Sequence, residues 1–167
     1  YAACRWMHSS IDAFRHLMGE AAIEDIEQVN VHIYEFGVSA LSKPHPATLL
    51  ELQFSMPHVF GLLAQGHPLL DLRITDTQNT SAASFAKKVS LQLDEDYQQQ
   101  YLIENKLPAR VSITLKDGST FEKVVHSPLG EKGNALSKTD HLLKINTLIN
   151  SSPHRNVRRY ARRFIPK

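Results

Sequence analysis

The densest group of residues able to do acid–base or anion-binding chemistry lies within the first eight positions of the chain. Cys4, Arg5, Trp6 and His8 stand directly before a segment with helical spacing. A guanidinium forms a fork that matches a carboxylate, and an imidazole exchanges protons near neutral pH. A helix start adds positive potential at the same place. The group therefore suits a substrate that carries carboxylates.

A structural interpretation of the same residues is also open. Arg5 could pair with a local acid, Trp6 could belong to the core, and His8 could cap the helix. Cys4 could be a thiol donor in a site, or a small buried hydrophobic residue. Composition alone favours the structural interpretation.

Several common catalytic signatures are missing from the sequence. It has no glycine-rich phosphate loop and no G-x-S-x-G, H-E-x-x-H or C-x-x-C. The nine histidines lack ligand spacing, and one cysteine is too few for a cysteine-based zinc site. We therefore expect no metal, and nucleotide-dependent functions lose most of their support.

Length and composition indicate one soluble globular core. The chain has 167 residues, of which 42% are hydrophobic and 22% charged, and no apolar run reaches the ~20 residues of a membrane span. The opening residues lack the regions of a signal peptide, and the single Cys4 fits a reducing compartment. We expect a cytoplasmic protein without a membrane partner. Because the chain does not begin with Met, we expect it to be a piece of a longer polypeptide.

The charge is distributed unevenly. The net charge is +2, yet residues 151–167 hold six basic residues and no acidic one, which leaves residues 1–150 mildly acidic. We expect residues 1–150 to form the domain and residues 151–167 a basic helix or tail. Such a tail permits an alternative function, a non-catalytic interaction module that binds nucleic acid or an acidic protein. Only Tyr160 and Phe164 interleave aromatic rings with these charges, so we favour a solvated or protein-docking face over nucleic acid.

Hydrophobic periodicity predicts the elements up to residue 66. Ile11, Phe14, Leu17 and Met18 predict a helix capped by Ser9, and the alternation in residues 27–36 predicts a half-buried strand. Glycine and prolines predict a loop over residues 37–47. A buried helix over residues 56–65 would be capped by Ser55, with Pro57 in its first turn.

The second half of the chain completes the predicted fold. We expect a short helix over residues 81–87, then a strand over residues 88–94 with Val89, Leu91 and Leu93 inward. Residues 95–107 give no clear pattern. Two alternating runs joined by Asp117-Gly118 predict a hairpin, and Ser137 opens a helix. A last basic amphipathic helix is expected over residues 153–164. The fold class is α+β: a mostly antiparallel sheet of about four strands with helices packed on one face.

A family resemblance strengthens the functional interpretation of the opening residues. Residues 1–13, YAACRWMHSSIDA, resemble the segment K-x-[YF]-P-x-C-R-x-x-H-x-x-[IL]-D-A of the MmgE/PrpD family. Other stretches resemble its patterns in order up to about Ile149: I-x-x-E-D-I-x-x-[IV]-x-V at 23–31, K-P-x-P at 43–46, A-K-F-S-[LM]-P-Y at 52–58, L-x-D-G at 115–118 and P-x-G…P-L-S at 128–137.

The resemblance implies the smaller, C-terminal α+β domain of a two-domain enzyme. Its active site would lie in the cleft with a larger N-terminal helical domain, and the family commonly forms homodimers. Family members, which include 2-methylcitrate dehydratase, cis-aconitate decarboxylase and iminodisuccinate epimerase, act on small di- and tricarboxylates without a metal or organic cofactor. The matched R-x-x-H implies that Arg5 binds a substrate carboxylate and that His8 moves or positions a proton. Ser55 and Cys4 are further substrate-binding candidates.

Departures from the family pattern refine this expectation. Ala2 replaces the usual Pro, Gln53 replaces the common Lys, and the family Lys that precedes the aromatic residue would lie before Tyr1. Cis-aconitate decarboxylases carry a His near the position of Cys4. The chain therefore resembles the dehydratases more than the decarboxylases, and a 2-methylcitrate dehydratase would serve propionate metabolism.

Overall fold

A computed structural model describes residues 1–154 and Asn156. Within these residues the chain forms four strands and seven α-helices. The strands are β1 (Ile26–Ile33), β2 (Val89–Leu93), β3 (Ala109–Leu115) and β4 (Thr120–Val125). The helices are α1 (His8–Leu17), α2 (Glu35–Leu41), α3 (Leu49–Gln53), α4 (Met56–Ala64), α5 (Thr80–Ala86), α6 (Glu95–Glu104) and α7 (Lys138–Ser151).

The strands form one mixed sheet in the order β2-β1-β3-β4. The β1–β3 and β3–β4 pairs are antiparallel, whereas β1 and β2 run parallel. The prediction of an α+β fold with four strands is confirmed, and the expectation of a mostly antiparallel sheet needs a correction at β2. Four helices lie between β1 and β2 in the chain. A parallel pair of strands requires a long crossover connection of this kind.

One face of the sheet builds the core. Val29, Val31 and Ile33 are fully buried on β1, whereas Asn30 and His32 between them stay partly exposed, as the alternation predicts. Helix α1 packs against β3 and β4 on the apolar face. The helices therefore cover the apolar face of the sheet, and the opposite face is polar.

Aromatic stacking joins the helices that cover this face. The rings of Phe14 in α1 and Phe60 in α4 stack with centroids 4.5 Å apart, and Phe85 in α5 lies 5.9 Å from Phe14. Helix α4 also packs closely on α5, because Gly61 leaves room for the backbone carbonyl of Ala82. These contacts fix the helix layer that supports the start of α1.

Most of the predicted elements occur where the periodicity places them. The hairpin turns at Asp117-Gly118, with Gly118 at a φ of +87°. The helices predicted near residues 56, 81 and 138 are α4, α5 and α7, and the side chain of Ser55 accepts a hydrogen bond from the backbone of His58 as a cap. Local sequence therefore determines these elements.

Other predictions were wrong for identifiable reasons. The expected loop over residues 37–47 begins as α2, where Gly37 is buried against Ile33 and Tyr34 and is retained for close packing rather than for a turn. No element was predicted for residues 95–107, which contain α6, capped by Asp94. This helix lacks the apolar stripe by which a helix is recognised in a sequence. Leu93 was expected inward but is 43% exposed at the end of the edge strand β2.

The cap predicted for α1 is also wrong. The helix begins at His8, directly after a 3-10 turn over Arg5–Met7, so Ser9 lies inside it. The Ser9 hydroxyl instead donates a hydrogen bond to the carbonyl of Leu107 at 2.5 Å. Tertiary contact with the segment before β3 thus uses the hydroxyl that the sequence assigned to capping.

Two expectations concern the ends and the surface of the fold. The basic helix expected over residues 153–164 falls almost wholly outside the described residues. Among the described helices, none combines the length and the hydropathy that crossing a bilayer requires.

Candidate functional site

A surface groove of about 270 Å³ lies at the start of α1 and is called the His8 groove. It brings together the two leading residues of the sequence prediction, Arg5 and His8, with residues from the loop after β4 and from α7. Its lining consists of Tyr1, Arg5, His8, Leu129, Gly130, Glu131, Leu136 and Lys144. The groove therefore joins parts of the chain that are more than 120 positions apart.

Arg5 is held by an acidic partner inside the groove. Its Nε donates to Oε1 of Glu131 at 2.6 Å, and the two side chains are 55% and 32% exposed. The ion pair raises the pKa of the Arg5 guanidinium and lowers that of the Glu131 carboxylate. Both groups are therefore charged over the physiological pH range, and Arg5 does pair with an acid, as the structural interpretation allowed.

His8 is the first residue of α1, and its ring is mostly buried. Its Nε2 lies 3.0 Å from the carbonyl oxygen of Ala3. A carbonyl only accepts hydrogen bonds, so Nε2 carries the proton and Nδ1 is the nitrogen of the neutral ring that can accept one. Burial lowers the pKa of His8, which keeps the ring neutral near pH 7.

Tyr1 and Asp12 form the wall beside His8. The Tyr1 ring meets the His8 ring edge to face with centroids 5.2 Å apart, and the Tyr1 hydroxyl donates to Oδ1 of Asp12. Burial and the hydrogen bond to Asp12 raise the pKa of the Tyr1 hydroxyl, so it stays protonated. Oδ2 of Asp12 accepts from the backbone N–H of Leu129 at 2.6 Å. One carboxylate thus fastens two walls of the groove.

Lys144 adds a second cation to the groove, and sequence reasoning missed it. It is partly buried on α7, and within the described part of the chain it forms no ion pair. A single lysine in an amphipathic helix gives no local sign of a site. Its charge comes close to His8 only in the folded chain, where both residues line one groove.

The structure does not bring Cys4 and Ser55 to the His8 groove. The Cys4 thiol is partly buried, and burial raises its pKa. Ser55 is fully buried; its hydroxyl donates to the carbonyl of Lys43 at 2.5 Å and accepts from the backbone of His58. Their predicted substrate contacts stay predictions, and each side chain has a structural role at its present place.

Gln53 fixes the opening residues to the body of the domain. Its carbonyl accepts from the Cys4 N–H at 2.8 Å, and its side chain donates to the Ala2 carbonyl at 3.1 Å. The N–H of Ala2 also donates to the Leu69 carbonyl at 2.7 Å. These bonds hold the segment that carries Arg5 and His8 in one conformation.

The described residues offer no grouping of three or more His, Cys, Asp or Glu side chains that could hold a metal ion. The groove instead presents a neutral imidazole together with a guanidinium and an ammonium group. This combination can bind carboxylates and accept a proton next to them.

Comparison with known proteins identifies the domain. The model of the MmgE/PrpD C-terminal domain matches residues 1–163. No curated protein matches the chain significantly. The family match covers nearly the whole chain, from the front segment with Arg5 and His8 through α7 with Lys144. The chain therefore belongs to the MmgE/PrpD family, as its C-terminal domain.

Proposed function

We propose that this chain is the C-terminal domain of a cofactor-independent lyase of the dehydratase type, or of an isomerase, that acts on small di- or tricarboxylates such as 2-methylcitrate or aconitate. The observation that carries the proposal is the shared lining of one groove by Arg5, His8 and Lys144. The family match supports it.

The two cations bind the substrate carboxylates. Arg5 offers N–H donors in a planar fork, and Lys144 offers an ammonium group without a competing ion pair among the described residues. Proton abstraction next to a carboxylate creates enolate-like negative charge, which nearby cations stabilise more strongly than the ground state. Arg5 and Lys144 therefore bind the substrate and stabilise the developing charge.

His8 transfers the proton. Its Nε2–H is used by the Ala3 carbonyl, so Nδ1 takes the proton from the carbon next to the carboxylate. In a dehydration the electron pair of that C–H bond forms the C=C bond, and the hydroxyl group leaves as water with a proton from an acid. In an epimerisation the carbon is reprotonated on its other face. The lowered pKa of His8 suits the base role, because the neutral ring predominates at neutral pH.

A helical domain of the same protein would close the groove and supply the remaining catalytic groups. An aromatic surface adjoins the front segment and is called the Trp6 patch: the Trp6 ring lies 4.5 Å from that of Phe36 and 6.0 Å from that of Phe54. A hollow of about 340 Å³ lined by Ala40, Lys43, Leu50, Glu51 and Phe54 continues it, and Phe36 and Leu50 are exposed. Trp6 lies between Arg5 and His8 in the sequence, so a domain that binds to the patch would also cover the groove.

We also propose that the protein is a homodimer in the cytoplasm.

The test is a binding and turnover measurement on the full-length protein. We expect Arg5→Ala and Lys144→Ala each to raise the dissociation constant for tricarballylate, an unreactive tricarboxylate, about 10- to 100-fold, because each removes a charge-assisted bond. We expect His8→Gln to abolish turnover of 2-methylcitrate and exchange of its α-proton with deuterium, while binding changes little. The isolated domain should show no turnover.

Arg73→Ala is the matched control, because it removes a similarly exposed guanidinium that pairs with Asp71 outside the groove. If Arg5→Ala and Lys144→Ala bind tricarballylate with the same dissociation constant as the wild type, the proposal is contradicted. Binding that falls steeply with salt and requires residues 151–167 would support the interaction module instead.

A further inference from the structure

The Arg5–Glu131 ion pair separates two surface pockets. Both residues line the His8 groove, and both also line an adjoining cavity of about 480 Å³. The adjoining cavity is otherwise lined by Glu104, Asn105, Lys106, Leu107, His126, Ser127, Pro128 and Lys132. A substrate carboxylate that reaches Arg5 therefore meets the Glu131 carboxylate at the same place.

The ion pair is weak enough to give way to a substrate carboxylate. It lies at the surface, where exposed ion pairs contribute little to stability. Among the described residues, Glu131 is the only hydrogen-bond partner of the Arg5 side chain, and it uses Nε alone. The substrate thus competes with Glu131 for the charge of Arg5, whereas no acidic residue of the described part of the chain forms an ion pair with Lys144.

The backbone around Glu131 keeps the Glu131 carboxylate near the groove after a substrate carboxylate has replaced it as the partner of Arg5. Gly130 and Gly133 take positive φ values of +100° and +88°, and the Gly130 N–H donates to the Asn134 carbonyl at 2.7 Å. The loop is also tied to α1 through Leu129 and Asp12. Because the turn is anchored on both sides, the carboxylate stays near the groove and repels each negative charge that enters.

We propose that Glu131 is a specificity-determining residue that weakens the binding of tricarboxylates to the His8 groove more than the binding of dicarboxylates. This inference rests on the proposed function. Among the residues that line the groove, Arg5 and Lys144 supply two positive charges, His8 is neutral, and Glu131 cancels one of the two. The penalty from Glu131 grows with each carboxylate, so a tricarboxylate loses more affinity than a dicarboxylate of the same length.

Glutarate and tricarballylate test this, because they share one five-carbon chain and differ by a single carboxylate on the central carbon. Their dissociation constants would be measured by calorimetry at low ionic strength on the full-length wild type and on Glu131→Gln. We expect Glu131→Gln to tighten tricarballylate binding about 2- to 5-fold and glutarate binding by less. Glu131→Asp keeps the charge and should keep the wild-type ratio of the two constants.

Glu122→Gln is the matched control, because Glu122 pairs with Arg110 at 3.2 Å, is 47% exposed and lies outside both the groove and the hollow beside the Trp6 patch. Weaker or unchanged tricarballylate binding in Glu131→Gln, or an equal gain for both ligands, would overturn the inference. If Arg5→Ala weakens binding while Glu131→Gln changes nothing, this inference alone fails. If no variant and no wild type binds either ligand, the proposed function fails with it.

Discussion

The carboxylate of Asp12 accepts a hydrogen bond from the backbone N–H of Leu129, at 2.6 Å and across 117 positions of sequence. Its other oxygen accepts from the hydroxyl of Tyr1. Asp12 therefore connects the front segment, α1 and the loop that carries Glu131. The groove keeps its shape because one side chain of the first helix is bonded to both of its walls.

Replacing Asp12 with Asn should loosen this connection. The amide keeps one acceptor oxygen but loses the charge and the second acceptor, so we expect a loss of about 1–2 kcal/mol in the free energy of unfolding, measured in urea. Asp25→Asn, a change at an exposed aspartate whose side chain bonds none of the described residues, should have almost no effect. Equal stability of the two variants would show that the Asp12 bonds contribute nothing.

His8 should make stability depend on pH. Burial holds its folded pKa below the ordinary value of about 6.5, so the unfolded chain binds more protons between these two values. Its contribution is therefore present above pH 6.5 and is lost as the pH falls toward the folded pKa.

The measurement is the free energy of unfolding from pH 7.5 to pH 5. We expect it to fall less steeply in His8→Gln than in the wild type. His45→Gln, which removes an exposed imidazole, should keep the wild-type slope. If His8→Gln and the wild type show the same slope, burial does not control the titration of His8.

Ser55→Ala should lower stability through two lost bonds. The change removes the cap of α4 and leaves the partly buried Lys43 carbonyl without its donor, so we expect a cost of about 2 kcal/mol. Thermal unfolding measures it, and Ser39→Ala, which removes an exposed hydroxyl bonded within α2, serves as the control. A stable Ser55→Ala protein that binds tricarballylate poorly would instead favour the substrate-binding role predicted from the sequence.

Gly61→Ala tests the contact between α4 and α5. An added Cβ would overlap the backbone carbonyl of Ala82, and neither backbone can move without separating the two helices. We expect a loss of about 1–3 kcal/mol, read from the urea midpoint. At Gly19 the nearest atom to an added Cβ is 3.3 Å away, so Gly19→Ala should cost much less. A wild-type midpoint for Gly61→Ala would mean that the helices are less tightly packed.

The sequence predicts those structural features that depend only on residues close to each other in the chain. The alternation in β1, the Asp-Gly turn and the Ser55 cap are all local, and all are present. The order of motifs also predicts the family, and the R-x-x-H spacing places Arg5 and His8 in one groove.

Features that depend on distant contacts were missed. Lys144 lines the groove although it lies 136 positions after His8, and Glu131 pairs with Arg5 across 126 positions. The Ser9 hydroxyl bonds Leu107 rather than the helix end, since a buried carbonyl there needs a donor. None of these contacts leaves a periodic or compositional trace.

The central place of β1 in the sheet has a consequence for synthesis of the chain. The partners of β1 begin only at Val89 and Ala109, so both of its edges stay unpaired while the ribosome adds the four intervening helices. Its valines and isoleucines would then offer a template for pairing with other nascent chains. Phe14 and Phe60 precede β2 in the chain and belong to the same buried cluster as the valines of β1, so helices that are synthesised before β2 can cover the apolar side of that strand.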